Sequence, residues 1–229
     1  MNSEISVGNF SSNLAEIWTD ENWKATEKAY LARRKNVRMQ LMLKRYLDIA
    51  IASLALLLIW PLLLGISLAV RLSSPGPILF CQERLGKLGK PFTIYKFRTM
   101  VDGAVNIGSG LATFKGDPRV TKVGKFLREY HLDELPQLFN VIRGDMSLVG
   151  PRPLLVSSLN TYNDVQKRRL LMPPGVTAWE AVNGGLENSL EERLNLDVWY
   201  VERWNFWLDW VILFKTIPVV LRKEGVYAK

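Results

Sequence analysis

The sequence predicts a mainly helical α+β protein, monotopic in a membrane, with a Pro-broken re-entrant helix and a small cytoplasmic domain that carries a short β-hairpin. Three observations predict it. Ile49–Val70 is a run of 22 residues without a charge, and Pro61 stands inside it. Basic residues flank that run on both sides. Beyond it come two short strand-like stretches and then a series of amphipathic helical ones. The organisation is therefore a polar N-terminal extension with a basic amphipathic helix over 1–43, a re-entrant membrane helix over 44–72, and a cytoplasmic domain with interfacial helices over 73–229.

The apolar run carries most of this reading. As one straight helix it would rise about 33 Å, enough to cross a hydrocarbon core of about 30 Å. Pro61 opposes that arrangement, because it removes a backbone hydrogen bond and clashes with the preceding turn. It divides the run into arms of 12 and 9 residues, each about half a membrane long. Lys44 and Arg45 precede the run; Arg71, Arg84, Lys87, Lys90, Lys96 and Arg98 follow it, with Glu83 the only acid up to Val101. Basic flanks stay cytoplasmic. A helix that enters, bends at Pro61 and leaves by the same face satisfies both ends, and a kinked spanning helix is the competing arrangement. A secretory signal is not expected, since an acidic segment comes first and no small-residue cleavage site follows the run.

The segment ahead of the run is polarised. Residues 1–23 hold four acids and no Lys or Arg, whereas 24–45 hold eight bases and one acid. A helix begins here, with Thr19 or Asp20 as its cap and Trp23, Tyr30, Val37 and Leu41 on one face. Its basic face suits anionic head groups, or simply water.

After the run, the turn cluster Ser73–Pro77 stops the helix. Ile78–Cys81 and Phe92–Phe97 read as strands joined through the glycines and lysines of 86–90. Residues 106–116 read as a loop. Helices are expected over 120–130, 136–143, 154–171, 190–201 and 206–221. In the last of these, Trp207, Trp210 and Phe214 share one face. Such a stripe is either core or, beside a membrane insertion, an interfacial belt.

Composition excludes several classes. One cysteine rules out an internal disulfide framework, and one histidine rules out a His-rich zinc site. A net charge of +8 points to anionic partners. A membrane-anchored nucleic-acid binder is suggested by charge alone and is disfavoured, because it lacks a recognisable motif and the bases flank the membrane run instead of lining a groove; no nucleic-acid partner is expected. Apolar residues at 48% argue against disorder, and eight tryptophans suit a boundary between water and lipid.

The densest chemical constellation is His131-Leu132-Asp133-Glu134-Leu135-Pro136. Pro136 suits a helix first turn, which places both carboxylates at a helix N-terminus. There they are either caps or a nucleophile and a pair of hard oxygen ligands for Mg²⁺. Lys96 and Arg98 (in YKFRTM), Arg119 (in DPR) and Arg152 (in GPRP) are stiffly held cations. Arg152 lies between two prolines and so is presented at low entropic cost. Carboxylates beside such cations suit diphosphate chemistry, or else each is a surface ion pair.

The run Leu132–Pro153, LDELPQLFNVIRGDMSLVGPRP, resembles the signature of the bacterial sugar transferase family, the monotopic polyprenyl-phosphate phosphoglycosyl transferases. The likeness extends from Lys44-Arg45 through SPGP, QERLG, KFRTM and DPRVTKVGKFLR to LDVWYVERWNFWLD, over roughly 44–225. Larger relatives carry membrane spans ahead of this region, so the chain is similar to the small form. The resemblance implies that Asp133 attacks the β-phosphorus of a nucleotide-diphosphate sugar, most readily a UDP-sugar. A phosphosugar–aspartyl intermediate forms, and the phosphate of undecaprenyl phosphate then takes the sugar phosphate. This would be the first membrane step of glycan assembly. It further implies Mg²⁺ as cofactor, held by Asp133 and Glu134, and phosphate contacts from Lys96, Arg98, Arg119 and Arg152. The implied partners are the nucleotide-diphosphate sugar, undecaprenyl phosphate and membrane lipids, with a homodimer left open. The implied place is the bacterial inner membrane, with the active site on its cytoplasmic face.

The chain departs from the family pattern in three places. Trp60 stands where a serine is common before Pro61, and His131 where serine is common before the acidic pair. Pro173–Gly185, PPGVTAWEAVNGG, replaces a pattern close to RPGITGWAQVNGR, so arginines are lost at Pro173 and Gly185, glycine at Ala178 and glutamine at Ala181. The divergence implies a different donor sugar or, alternatively, a catalytically weakened member that binds lipid phosphate as a scaffold.

Overall fold

The computed structural model describes residues 21–32, 36–108, 110, 113–114, 116–223 and 225. Thr19 and Asp20, the expected caps of the first helix, lie outside the described residues. Helix α1 spans Glu21–Ala32. Asn36, in a left-handed conformation at φ 62°, precedes the long helix α2, Val37–Ser73. Asparagine is among the few residues that tolerate this conformation, so the chain turns there. The helix thus begins ahead of the expected boundary at 44.

Helix α2 has 37 residues, about 55 Å of rise, and Pro61 lies within it. The helix runs as one element through Pro61, so the expected break at the proline is not seen. Among the described residues it is the one helix long and apolar enough to cross a membrane. Its burial is divided. Lys44, Asp48 and Ala52 are buried on the arm before Pro61, Ile66 and Val70 on the arm after it. Between them Leu54, Leu57, Leu58, Trp60, Leu62 and Leu64 are all exposed, at 47–70%.

Both arms pack on the same domain. On the first, Lys44 Nζ donates to Val149 O at 2.9 Å, and Asp48 Oδ2 accepts from Ser147 Oγ at 2.7 Å. On the second, Ile66 and Val70 form a cluster with Phe97 and Leu127. The Arg98 guanidinium donates to the carbonyls of Val70, Ser74 and Pro75. It thereby satisfies part of the helix end that the last turn leaves bare.

Strands β1 (Leu79–Leu85) and β2 (Pro91–Phe97) form the expected antiparallel hairpin, in register from Leu79 opposite Phe97 to Leu85 opposite Pro91. Helix α3 (Lys122–Glu129) is capped by Thr121, and α4 (Gln137–Arg143) ends at Gly144 in the left-handed region. A parallel pair that the sequence did not reveal joins β3 (Ser147–Val149) to β4 (Gly175–Thr177). A Cβ on Gly175 would fall 2.1 Å from Gly150 N, so glycine is required for this approach.

The single helix expected over 154–171 is not formed. The segment breaks into a 3₁₀ turn at Val156–Thr161, a short helix α5 (Asp164–Lys167) and a second 3₁₀ turn at Arg168–Leu171. Tyr162 is extended, and Asn163 starts a new helix through a capping box with Gln166. Helices α6 (Leu190–Arg203) and α7 (Phe206–Arg222) follow, capped by Ser189 and Asn205. The inner face of α7 buries Ile212 in the main core with Ala52, Val149, Tyr200, Val201 and Trp204. Its outer face leaves Trp207 75% and Phe214 67% exposed, with Val211, Ile217 and Leu221 alongside. Trp207 and Phe214 are therefore surface and not core, and Trp210 is half-buried.

Candidate active site

A cavity of about 430 Å³ opens between the hairpin and the turn after α3. Strand β1 contributes Gln82 and Arg84, the end of β2 Lys96 and Arg98, helix α3 Arg128, and the loop after β3 Arg152. His131, Asp133 and Glu134 come from the connection between α3 and α4. His131 is left-handed at φ 54° and starts the 3₁₀ turn Leu132–Glu134. The two carboxylates thus sit on a tight turn that α4 continues, close to the N-terminus the sequence expected.

These neighbouring carboxylates have opposite surroundings. Glu134 Oε1 accepts from Lys96 Nζ at 2.6 Å and from Arg152 Nη2 at 2.9 Å. Burial alone would raise its pKa, but Arg152 and Lys96 outweigh that and hold it well below the usual carboxylate range. Asp133 has no hydrogen bond or ion pair among the described residues. Burial pushes its carboxyl above the ordinary value, Lys96 pulls it back, and the Glu134 charge pushes it up again. One acid is locked as an anion; its neighbour is a half-buried carboxylate with its oxygens available.

The cations are held from behind. The Arg152 guanidinium is kept protonated chiefly by Glu134. Its backbone carbonyl accepts from Arg169 Nη2. Arg169 is itself buried, pairing with Asp197 at 2.6 Å and with Tyr162 Oη at 3.2 Å. Arg84 donates to Gln82 Oε1, and burial followed by the nearby Arg152 lowers its pKa to about 10. Arg128 Nε donates to Thr99 Oγ1 at 2.7 Å.

Of the residues named from sequence, the structure brings Asp133, Glu134, Lys96, Arg98 and Arg152 to this cavity. Arg98 borders it with its guanidinium turned to the end of α2. Arg119 is not among the lining residues. It pairs with Asp117 at 2.7 Å and donates to the carbonyls of Ala104, Ile107 and Gly110, so it holds the loop after β2. Pro61 lies in the exposed middle of α2, away from the cavity. Arg84 and Arg128 were missed as site residues. Gln82 and Arg84 are two apart on a strand and so share a face, a signal the sequence does contain.

Among the described residues no three His, Cys, Asp or Glu side chains converge on one point. Asp133 and Glu134 are still a suitable donor set for Mg²⁺, a hard ion that keeps several waters and shares substrate phosphates. The unpartnered Asp133 carboxylate is the observation that fits.

The chain resembles known proteins over most of its length. Residues 39–223 match the family described as Bacterial sugar transferase. The chain is 45% identical over 186 residues to the uncharacterized sugar transferase EpsL of Bacillus subtilis (strain 168), covering 81% of this chain and 91% of that one. It is 38% identical over 226 residues to the undecaprenyl-phosphate galactose phosphotransferase of Salmonella typhimurium, covering 91% of this chain and 47% of that one. It is 46% identical over 184 residues to the UDP-glucose:undecaprenyl-phosphate glucose-1-phosphate transferase of Escherichia coli (strain K12), covering 77% of this chain and 39% of that one. The chain thus spans nearly all of the first relative but less than half of the other two. By the extent of these matches, the chain belongs to the bacterial sugar transferase family.

Proposed function

We propose that this protein transfers a sugar-1-phosphate from a UDP-sugar to undecaprenyl phosphate, through an aspartyl intermediate on Asp133. The contrast between Asp133 and Glu134 carries the reading. A nucleophile needs a carboxylate whose oxygens are not already spent, and of the adjacent pair Asp133 offers one where Glu134 does not. In the first step an Asp133 oxygen attacks the β-phosphorus, and the bond from that phosphorus to the bridging oxygen breaks. Uridine monophosphate leaves with the bonding pair. In the second step a phosphate oxygen of the polyprenyl substrate attacks the same phosphorus, the bond to Asp133 breaks, and the carboxylate is regenerated.

Lys96 and Arg152 offset the charge of Glu134 and present their remaining donors to the diphosphate. Arg84 and Arg128 complete the cationic wall. Asp133 and Glu134 would hold Mg²⁺, which when bound would screen nucleophile from phosphate. The names of the Salmonella and Escherichia relatives support the lipid acceptor, and the latter supports the UDP-sugar donor.

The packing of α2 supports a topology for this reading. Two arms packed on one domain support both ends lying on the same side, with the exposed leucines between them in lipid. The outward apolar stripe of α7 supports a second element lying in the interface. This reading places the site at the cytoplasmic face of a bacterial inner membrane. The test is a panel of UDP-sugars with undecaprenyl phosphate and Mg²⁺, scored by nucleoside monophosphate. Release with at least one donor is expected; release with none would overturn the proposal.

A further inference from the structure

The chain does not leave the domain where α7 ends. Lys223, left-handed at φ 58°, closes that helix. Its ammonium reaches back to the end of α3, 2.9 Å from Glu129 Oε2 and 4.4 Å from the centre of the Tyr130 ring. Two residues on, Gly225 lines the cavity together with Leu186. Gly225 also lies over Gly185: a Cβ placed on Gly185 would stand 3.6 Å from Gly225 Cα. Gly185 is buried and Leu186 half-buried beside it. The wall of the cavity at this point is therefore built from two separate segments in contact. One of them is the continuation of the outward-facing helix.

We propose that Lys223 is a positioning residue which holds Gly225 against Gly185 and Leu186, and that this contact is a donor-discriminating wall of the sugar-nucleotide pocket. The inference rests on the proposed UDP-sugar reaction and adds to it the element that shapes the donor site. Its logic is one of space. A Cβ at position 185 would meet the Gly225 backbone at ordinary contact distance, so a longer side chain there would have to pass along the segment beyond α7. The clamp itself is light, one half-exposed ion pair and one cation–π contact. Its removal should shift a binding step by about three- to fivefold without unfolding the domain.

The experiment uses full-length protein with Lys223→Met, Glu129→Gln, the double variant and Lys223→Arg. Lys223→Met and Glu129→Gln should each raise the donor KM about three- to fivefold. kcat should stay within about twofold and the thermal melt should not move. The double variant should be no worse than either single one, since both break one contact. Lys223→Arg, which keeps the charge and the ring contact, should restore the donor KM. An unchanged KM in Lys223→Met, or effects that multiply in the double variant, would overturn the proposal. A second readout does not need turnover. In a Cys81→Ser background, a cysteine replacing Leu186 should react faster with a soluble maleimide once Lys223 is methionine; an equal rate would overturn the wall. If the unmodified protein turned over no UDP-sugar, the proposed reaction would fall, and the labelling rates would still decide the contact.

Discussion

Lys44 Nζ lies 2.7 Å from Asp209 Oδ2, and both side chains are buried. The pair joins the first arm of α2 to the inner face of α7, two elements whose other faces are apolar and exposed. Asp209 also accepts from Tyr200 Oη at 2.7 Å and Trp204 Nε1 at 3.1 Å, while Lys44 also donates to Val149 O. The network fixes the two outward-facing helices relative to each other and to β3, whose following loop presents Arg152.

Breaking that pair should be costly. Asp209→Asn takes the nearer partner from Lys44 and leaves Asp48 at 3.9 Å, whereas Lys44→Met leaves Asp48 and Asp209 both buried without their cation, the costlier change at about 3–5 kcal/mol. For a domain of this size that is on the order of 10 °C in Tm. Detergent-solubilised protein followed by thermal melt measures it. A shift under a couple of degrees would show the pair to be dispensable.

Asp133→Asn should abolish both the covalent phosphosugar adduct and turnover, with little change in stability. Asp133 makes no packing hydrogen bond that the amide would lose. Its carboxyl is raised above 3.8. The anion, and with it the rate, is therefore lost as pH falls through a value above that of an ordinary aspartate. The acid limb of kcat/KM should accordingly lie higher than a free carboxylate would place it. Intact-mass detection of the adduct and a pH–rate profile are the two measurements; normal turnover by the asparagine variant would remove Asp133 from the chemistry.

Arg152→Lys should lower kcat/KM about tenfold or more. Lysine keeps the charge but loses the planar fork that reaches Glu134 while leaving donors for phosphate. Steady-state kinetics with the preferred donor decide it. Arg119 does not line the cavity but ties down Ala104 and Gly110, which do, so Arg119→Lys should lower stability and affect donor KM less than Arg152→Lys does.

Cysteines introduced at Asn36 and Lys87, in a Cys81-free background, should both label from the cytoplasmic side. Both positions are on the domain side of α2, and both arms of that helix touch the domain. Labelling of either from outside the cell would restore a spanning helix.

The elements that depend on local pattern were legible in the sequence. The hairpin, α3, α4, α6 and α7 follow from periodicity and capping residues. The apolar run was legible as one long helix, and the structure leaves its middle residues Leu57, Leu58 and Trp60 exposed. The parallel pair of β3 and β4 was not, because three-residue strands carry no period and their pairing depends on Gly150 meeting Gly175. Arginine roles were the hardest to read. Arg98, Arg119 and Arg152 are chemically identical in the sequence, and each stands beside a proline, a turn or a loop. Only the fold decides that Arg98 caps a helix end, Arg119 ties down a loop and Arg152 faces Glu134. The acidic pair was found, but its division into a locked and an available carboxylate was not, since it depends on where Lys96 and Arg152 arrive.

The two-armed packing of α2 has a practical corollary. Ala52 and Val70 are each 0% exposed, one on either side of Pro61. They belong to two different core clusters of the domain. A water-soluble fragment made by excising 44–72 would therefore strip both clusters, leave the Asp209 carboxylate without the Lys44 ammonium and take the Val70 carbonyl from Arg98. The helix is a structural wedge as much as an anchor. Any useful solubilisation must keep its inward residues and recode only the exposed leucines between the arms.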